Sequence, residues 1–196
     1  MQNALIVEDL PGTQMWLAGL VTTAFPGADC VCAGSIEAAL RLIQVGRFEL
    51  ALVDLGLPDG DGTRVIEALN LLDPAPVIVV ASIHDDDRHL FPALQAGAQG
   101  YLLKDQPMDQ LAANLRGILS GNPPLSPAIA RRLLGFFKDA APGGESLTAR
   151  EREALGLLAK GMKISEMAAA MGITRHTASD YVKNVYRKLN VSSRAQ

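Results

Sequence analysis

The sequence predicts a doubly wound α/β first half, a five-stranded parallel sheet, followed by a smaller all-helical unit. Three observations carry this. Over the first 120 residues, short apolar runs rich in β-branched residues alternate with longer stretches of helical spacing. Strands apolar on both faces, alternating with helices, belong to a parallel sheet covered on both sides. After Ser120 only helical patterns remain. The charge divides at the same place: residues 1–120 hold 15 Asp/Glu against 6 Lys/Arg, and residues 121–196 hold 6 against 12. An acidic half joined to a basic half indicates two modules, the second suited to an anionic partner such as nucleic acid.

The predicted strands cover residues 4–7, 30–33, 50–53, 77–81 and 100–103. The helices between them cover 13–23, 36–44, 63–70, 87–96 and 107–120. Five such units in 120 residues fit a flavodoxin-like fold. Gly121-Asn122-Pro123-Pro124 then breaks the chain. Within a linker over 121–146, Ser126 caps a helix that has Pro127 at its first position and runs to about Lys138. Residues 140–146, with Pro142-Gly143-Gly144, read as a flexible spacer. The second domain, 147–196, opens with the capping box Thr148-x-x-Glu151 on a helix that ends at Gly161. A short helix over 164–171 stops at Gly172, and Thr174 caps a longer one over 175–189.

Composition excludes several classes. No apolar stretch approaches the roughly 20 residues of a membrane span. The N-terminus has no basic start and carries Glu8 and Asp9, unlike a secretory signal. Cys30 and Cys32 are the only cysteines. At i and i+2 of a strand they share a face but are too splayed for an easy bridge, so they read as buried, reduced thiols of a cytoplasmic protein.

In open α/β sheets, ligands bind beyond the carboxyl ends of the strands. Strand one ends in Glu8-Asp9, strand three in Asp54, strand four in Ser82, and Lys104 follows strand five. Taken singly, each is an ordinary surface group. Together they place three carboxylates, a hydroxyl and an ammonium on one rim. Clustered carboxylates suit Mg²⁺ with room for phosphate oxygens, a lysine neutralises a phosphoryl group, and a carboxylate can accept one. His84, Asp85, Asp86 and Asp87 read as a solvated helix start, and Trp16 as packing.

These residues carry a resemblance. Glu8-Asp9, the segment from Asp54 to Gly62, Ser82, Tyr101 and Lys104 resemble the receiver domain of bacterial two-component response regulators. The resemblance implies that Asp54 accepts a phosphoryl group from a sensor histidine kinase. It implies that Asp9, Asp54 and the Gly56 carbonyl hold Mg²⁺, with Glu8 assisting through water. Lys104 contacts the phosphoryl oxygens, Ser82 joins them after phosphorylation, and Tyr101 swings inward as Ser82 moves. The family usually has proline directly after the lysine; here Asp105 and Gln106 intervene before Pro107.

A helix, a turn at Gly172-Ile173 and a longer helix suggest a helix-turn-helix. Leu155, Leu158, Met167, Met171, Val182 and Val185 are among the residues spaced for a small trihelical core. The outer face of the last helix carries His176, Ser179, Asp180, Lys183, Asn184 and Arg187, which suits a major groove as well as plain solvent. The segment from Leu147 to Glu153, Gly161, Ser165-Glu166-Met167-Ala168, Thr177 and Arg187-Lys188-Leu189 resemble the LuxR-type DNA-binding domain. Joined to a receiver, this is the arrangement of the NarL/FixJ subfamily. It implies a recognition helix over 175–189 with Thr177 and Lys183 on double-stranded DNA, Ser179, Asp180 and Arg187 on the same face, and a homodimer when active. Thr177-Ala178-Ser179 stands where the family often has Thr-Val-Lys, and Asp180 adds a negative charge. The family's final pairing helix lies past the point this sequence barely reaches.

Two other readings share these residues. A Mg²⁺-dependent phosphohydrolase working through an aspartyl phosphate would also use Asp9, Asp54 and Lys104. It would need a general acid/base and a cap, yet Gly56 offers no side chain and no cap interrupts the first half. A phosphorylation-independent regulator would keep the receiver only as an interaction module; the intact acidic set speaks against it. The expected function is phosphorylation-controlled DNA binding, not turnover of a substrate.

Overall fold

The computed structural model describes residues 1–83, 87–119, 127–139 and 146–194. The chain divides into two compact units, Met1–Leu119 and Ser120–Gln196. The first holds strands β1 (Asn3–Val7), β2 (Asp29–Ala33), β3 (Leu50–Val53), β4 (Gly56–Leu57), β5 (Gly60–Asp61), β6 (Val77–Ser82) and β7 (Gly100–Leu103). Its helices are α1 (Pro11–Ala24), α2 (Ile36–Val45), α3 (Thr63–Asn70), α4 (Asp87–Ala96) and α5 (Met108–Leu119). Five strands form one sheet in the order β2-β1-β3-β6-β7, every pair parallel. The order reverses at β1, the position where doubly wound sheets open a crevice at their carboxyl ends.

Strand alternation divides the core. Ala4, Ile6, Leu50, Leu52 and Val79 bury against Leu17, Leu20, Leu111 and Leu115 of α1 and α5, with Trp16 half-buried at the margin. Their neighbours Leu5, Val7, Ala51, Val53, Ile78 and Val80 are as fully buried on the other face. Burial on both faces is why these strands read as continuous apolar runs. β2 differs: it is one of the two edge strands, and unlike β7, the other, it leaves Asp29, Val31 and Cys32 exposed. Both thiols were expected in the interior; instead Cys30 is half-buried and Cys32 exposed, each a free thiol. Partial burial raises both thiol pKa values, with the charges of Cys32 and Asp29 adding to the effect at Cys30.

Two features were not foreseen in the first unit. α1 starts at Pro11 rather than at residue 13, since proline suits a first helical position. β4 and β5 form a small antiparallel hairpin directly after Asp54. It returns at Gly62, whose N–H donates to the Leu55 carbonyl at 3.0 Å. A Cβ at Gly62 would lie 2.1 Å from the Asp54 carbonyl oxygen, so only glycine allows this approach.

The second unit contains α6 (Pro127–Asp139), α7 (Ala149–Ala159), α8 (Ile164–Met171) and α9 (Arg175–Arg194). α6, expected within a linker, packs along α7. It buries Ile129, Ala130, Leu133 and Phe137, and Arg131 Nη1 donates to the Ala159 carbonyl at 2.9 Å. That bond satisfies an orphan acceptor at the end of α7. α8 stops at Gly172 in the left-handed conformation. α9 bonds its first turn to Thr174 (Thr177 N to Oγ1, 3.1 Å) and runs five residues past its expected end at Leu189. Its residues Ala178, Val182, Val185 and Leu189 are buried, as the spacing predicts. The expected break at 121–124, the Ser126 cap, the spacer over 140–145 and His84, Asp85 and Asp86 lie outside the described residues. No helix among the described residues is long and apolar enough to cross a membrane.

The helices of this unit are locked by one charged network. The capping box forms at Thr148, whose N–H donates to Glu151 Oε2 at 2.7 Å while Glu151 N–H donates to Thr148 Oγ1 at 3.2 Å. Lys188 of α9 adds 2.7 Å to the same Oε2 and 2.8 Å to the Ser146 carbonyl. Burial pushes the Glu151 pKa up, but the bonds from Lys188 and Thr148 outweigh it, so the carboxyl sits below its ordinary value. A carboxyl lowered on folding stabilises above its unfolded pKa, and that contribution disappears as pH falls through the folded value. Glu151→Ala, which removes the carboxylate paired with the Lys188 ammonium, should therefore destabilise this unit by about 3 kcal/mol at neutral pH. In urea unfolding followed by circular dichroism, the gap between wild type and variant should narrow as the pH is lowered through and below the ordinary carboxylate range. A gap independent of pH would contradict the ion-pair account.

Candidate functional site

The sheet register builds the site. Val7 pairs with Val53, Val53 with Val80, and Ser82 with Leu103. The next residues of these strands, Glu8, Asp54 and Lys104, therefore leave the sheet side by side. Backbone bonds continue the ladder past the strand ends: Asp54 N–H to the Val7 carbonyl at 2.8 Å, Glu8 N–H to Ala33 at 2.9 Å and Lys104 N–H to Ser82 at 2.9 Å.

Lys104 Nζ lies between two carboxylates, 2.5 Å from Glu8 Oε2 and 2.7 Å from Asp54 Oδ1. The Glu8 side chain is 2% exposed and that of Asp54 13%, so Asp54 alone of the two carboxylates reaches solvent. Its second oxygen, Oδ2, accepts the Gly56 N–H at 2.8 Å. Glu8 is fixed from behind: its carbonyl accepts Gln14 Nε2 at 2.6 Å. Ser82, the last residue of β6, and Tyr101, near the start of β7, are 1% and 5% exposed. Asp9 is half-buried and Gly56 exposed.

Sequence reasoning placed three carboxylates together. The structure joins Glu8 and Asp54 through Lys104, but among the described residues no three His, Cys, Asp or Glu side chains are grouped to hold a metal ion. The donor set still fits a hard divalent cation. Its carboxylate and carbonyl oxygens are the ligands Mg²⁺ takes, and one ammonium leaves most of the charge of Glu8, Asp9 and Asp54 uncompensated.

On α9, Asp180 Oδ1 lies 3.3 Å from Lys183 Nζ, and Asp180 Oδ2 lies 3.5 Å from His176 Nε2. These three side chains and exposed Arg187 form the outer face. Thr177 is half-buried and shares a 2.9 Å bond with the Thr174 hydroxyl. Ser179 does not join them. It is 1% exposed and its hydroxyl is buried without a hydrogen-bond partner, as is that of Tyr186 one heptad on. Ser179 sits at the border of the apolar stripe, and a side chain this short cannot reach past it. It is withdrawn from the expected DNA-facing set. Tyr186, whose phenol burial raises far above its ordinary pKa, widens the stripe in a way four apolar residues did not reveal.

Comparison with known proteins agrees with both units. Residues 4–116 match the family model "Response regulator receiver domain", and residues 145–196 match "Bacterial regulatory proteins, luxR family". The chain is similar to the transcriptional regulatory protein LiaR of Bacillus subtilis, 31% identical over 202 residues, covering 100% of this chain and 94% of that protein. It is 29% identical to the DNA-binding transcriptional activator DevR/DosR of Mycobacterium tuberculosis over 200 residues, covering 100% and 92%. A receiver domain protein from Methanospirillum hungatei superposes on 61% of this chain and 94% of its own, with 26% identity and a TM-score of 0.55. RcsB, in a structure of two dimers bound to two parallel DNAs, shares the fold over 96% of this chain and 92% of its own, with a TM-score of 0.60 at 21% identity. The chain belongs to the two-component response regulators of the NarL/FixJ subfamily, phosphorylation-controlled transcriptional regulators that join a receiver domain to a LuxR-type DNA-binding domain.

Proposed function

We propose that Asp54 is the phosphoacceptor, that a sensor histidine kinase supplies the phosphoryl group, and that phosphorylation raises DNA binding through α9. The observation that carries this is the Lys104 ammonium held on Asp54, the more exposed of the two carboxylates it bridges. An Asp54 carboxylate oxygen attacks phosphorus, the bond from phosphorus to the kinase imidazole breaks, and the imidazole leaves with that electron pair. Lys104 then faces the phosphoryl oxygens while Glu8 keeps its other side. Asp9, Asp54 and the Gly56 carbonyl, with Glu8 assisting, would hold Mg²⁺, which would supply charge neutralisation at the transferring group. The chemistry stops at this residue's own phosphorylation and dephosphorylation.

Ser82 and Tyr101 carry the signal. The Lys104 N–H bond to the Ser82 carbonyl ties the hydroxyl-bearing strand end to the ammonium that reads the phosphate. A hydroxyl bonded to the phosphoryl group in one state only stabilises that state, which is what a population shift requires. The protein acts in the cytoplasm, and two copies pair on DNA, an arrangement RcsB shows. DNA contacts come from Thr177, Lys183 and Arg187, with Asp180 on the same face. Asp180 holds Lys183 in the free protein, so it subtracts from the charge offered to phosphates.

Gel-shift titration on genomic fragments tests the function. Acetyl phosphate with Mg²⁺ should tighten binding by wild type. Ser82→Ala should still take up phosphate yet lose most of that gain; an undiminished gain would remove Ser82 from the switch.

A salt series tests the DNA face. Lys183→Ala should weaken binding and flatten the slope of log K against log[salt] by about 1, the value for one phosphate contact. Asp180→Ala should tighten binding to specific and scrambled DNA alike. Loss of affinity for one sequence alone would instead mean that Asp180 accepts a hydrogen bond from a cytosine.

A further inference from the structure

The motif after the phosphoacceptor contains an acid, Asp59, that the site does not use. It lies at the tip of the β4–β5 hairpin, and its side chain bonds to the start of α2. Asp59 Oδ1 accepts the Ile36 N–H at 2.8 Å and Oδ2 accepts the Glu37 N–H at 3.0 Å. These are the first two amides of α2; the third, Ala38 N–H, goes to the Ser35 hydroxyl at 3.1 Å. A helix start normally capped by its own preceding residues is thus completed by a side chain 22 residues further on. The two amides, Glu37 first, hold the Asp59 carboxyl below its ordinary range. Gly60, at φ +140°, makes the turn that brings Asp59 there, and its α-carbon packs so near Ile36 that a Cβ would come within 3.2 Å of that side chain.

We propose that Asp59 is a positioning residue for the phosphoacceptor site: by clamping the hairpin to α2 it fixes the Gly56 backbone. A side-chain ligand finds its geometry by rotation, but a main-chain carbonyl goes only where its loop puts it. The loop is held at its start by Gly56 N–H on Asp54 Oδ2 (2.8 Å) and at its end by Gly62 N–H on the Leu55 carbonyl (3.0 Å). Its return strand is tied to the first residue of α3 by Asp61, which accepts the Thr63 N–H at 2.9 Å. The tip is held to α2 by Asp59. The consequence for Mg²⁺ rests on the ligand set proposed above; the clamp itself rests on the hydrogen bonds.

Two measurements on the full chain test it. Without metal, hydrogen–deuterium exchange over residues 55–62 should be about fivefold faster in Asp59→Ala, the loss expected for one helix cap. Asp59→Asn keeps one acceptor oxygen and should fall between the two. Mg²⁺ titrated calorimetrically should bind Asp59→Ala about fivefold more weakly, with the phosphorylation rate from acetyl phosphate restored at saturating Mg²⁺, since Asp54 and Lys104 are untouched. Unchanged exchange in both variants would overturn the clamp. Faster exchange with unchanged Mg²⁺ affinity would overturn its role at the site. A wild-type chain that binds no Mg²⁺ would overturn the ligand set instead, and the exchange result would still decide the clamp.

Discussion

Two carboxylates brought together at the end of a sheet repel each other in proportion to how well they are shielded from water. In this receiver unit Glu8 is almost wholly buried and Asp54 nearly so, and the Lys104 ammonium sits between them at 2.5 and 2.7 Å. Without a cation there, one of the two charges would be buried with no partner, a state that costs several kcal/mol. The pairing spans most of the unit, since Lys104 lies 96 residues from Glu8 and 50 from Asp54. It therefore depends on every strand register between β1 and β7, and a one-residue slip in any of them would turn a member of the trio to the other face. The same interaction gives the site its chemistry. An ammonium that already compensates a carboxylate is placed to compensate a phosphoryl group attached to it.

The DNA-binding unit uses charge in two opposed ways. On α9, Lys188, its side chain only 14% exposed, is paired with buried Glu151, so this lysine fixes the helix rather than meeting a partner. One turn and more earlier, Lys183 meets Asp180 in solvent, where an ion pair is worth little and is easily exchanged for a phosphate. Both are basic residues of one helix in the sequence. Burial separates the structural lysine from the available one.

Much of this was legible in the sequence, and the reasons are local. α3, α4, β3 and β7 have the bounds that periodicity gave, and α8 ends where Gly172 punctuates it. Glu8, Asp54, Ser82 and Lys104 were found because each sits at a strand end, and strand ends are visible as the close of an apolar run. What escaped depends on long-range placement. Whether the faces of an edge strand are covered by helices is not written in its own residues, so Cys30 and Cys32 were put inside although β2, unlike the other edge strand β7, is largely open. Ser179 was assigned to the outer face by helical spacing and by the resemblance; it is 1% exposed, at the border of a stripe that Tyr186 makes wider than its four aliphatic members. The β4–β5 hairpin is built from two-residue strands, too short for any period, and the Asp59 clamp joins two loops that only the fold brings together.

The central claim is that Asp54, the more exposed of the two carboxylates held by Lys104, is the one that is phosphorylated. Intact-protein mass spectrometry after incubation with acetyl phosphate tests it directly. Wild type should gain one phosphoryl group only when Mg²⁺ is present, and Asp54→Asn, which keeps the shape but not the nucleophile, should gain none. Full phosphorylation of Asp54→Asn would contradict the account.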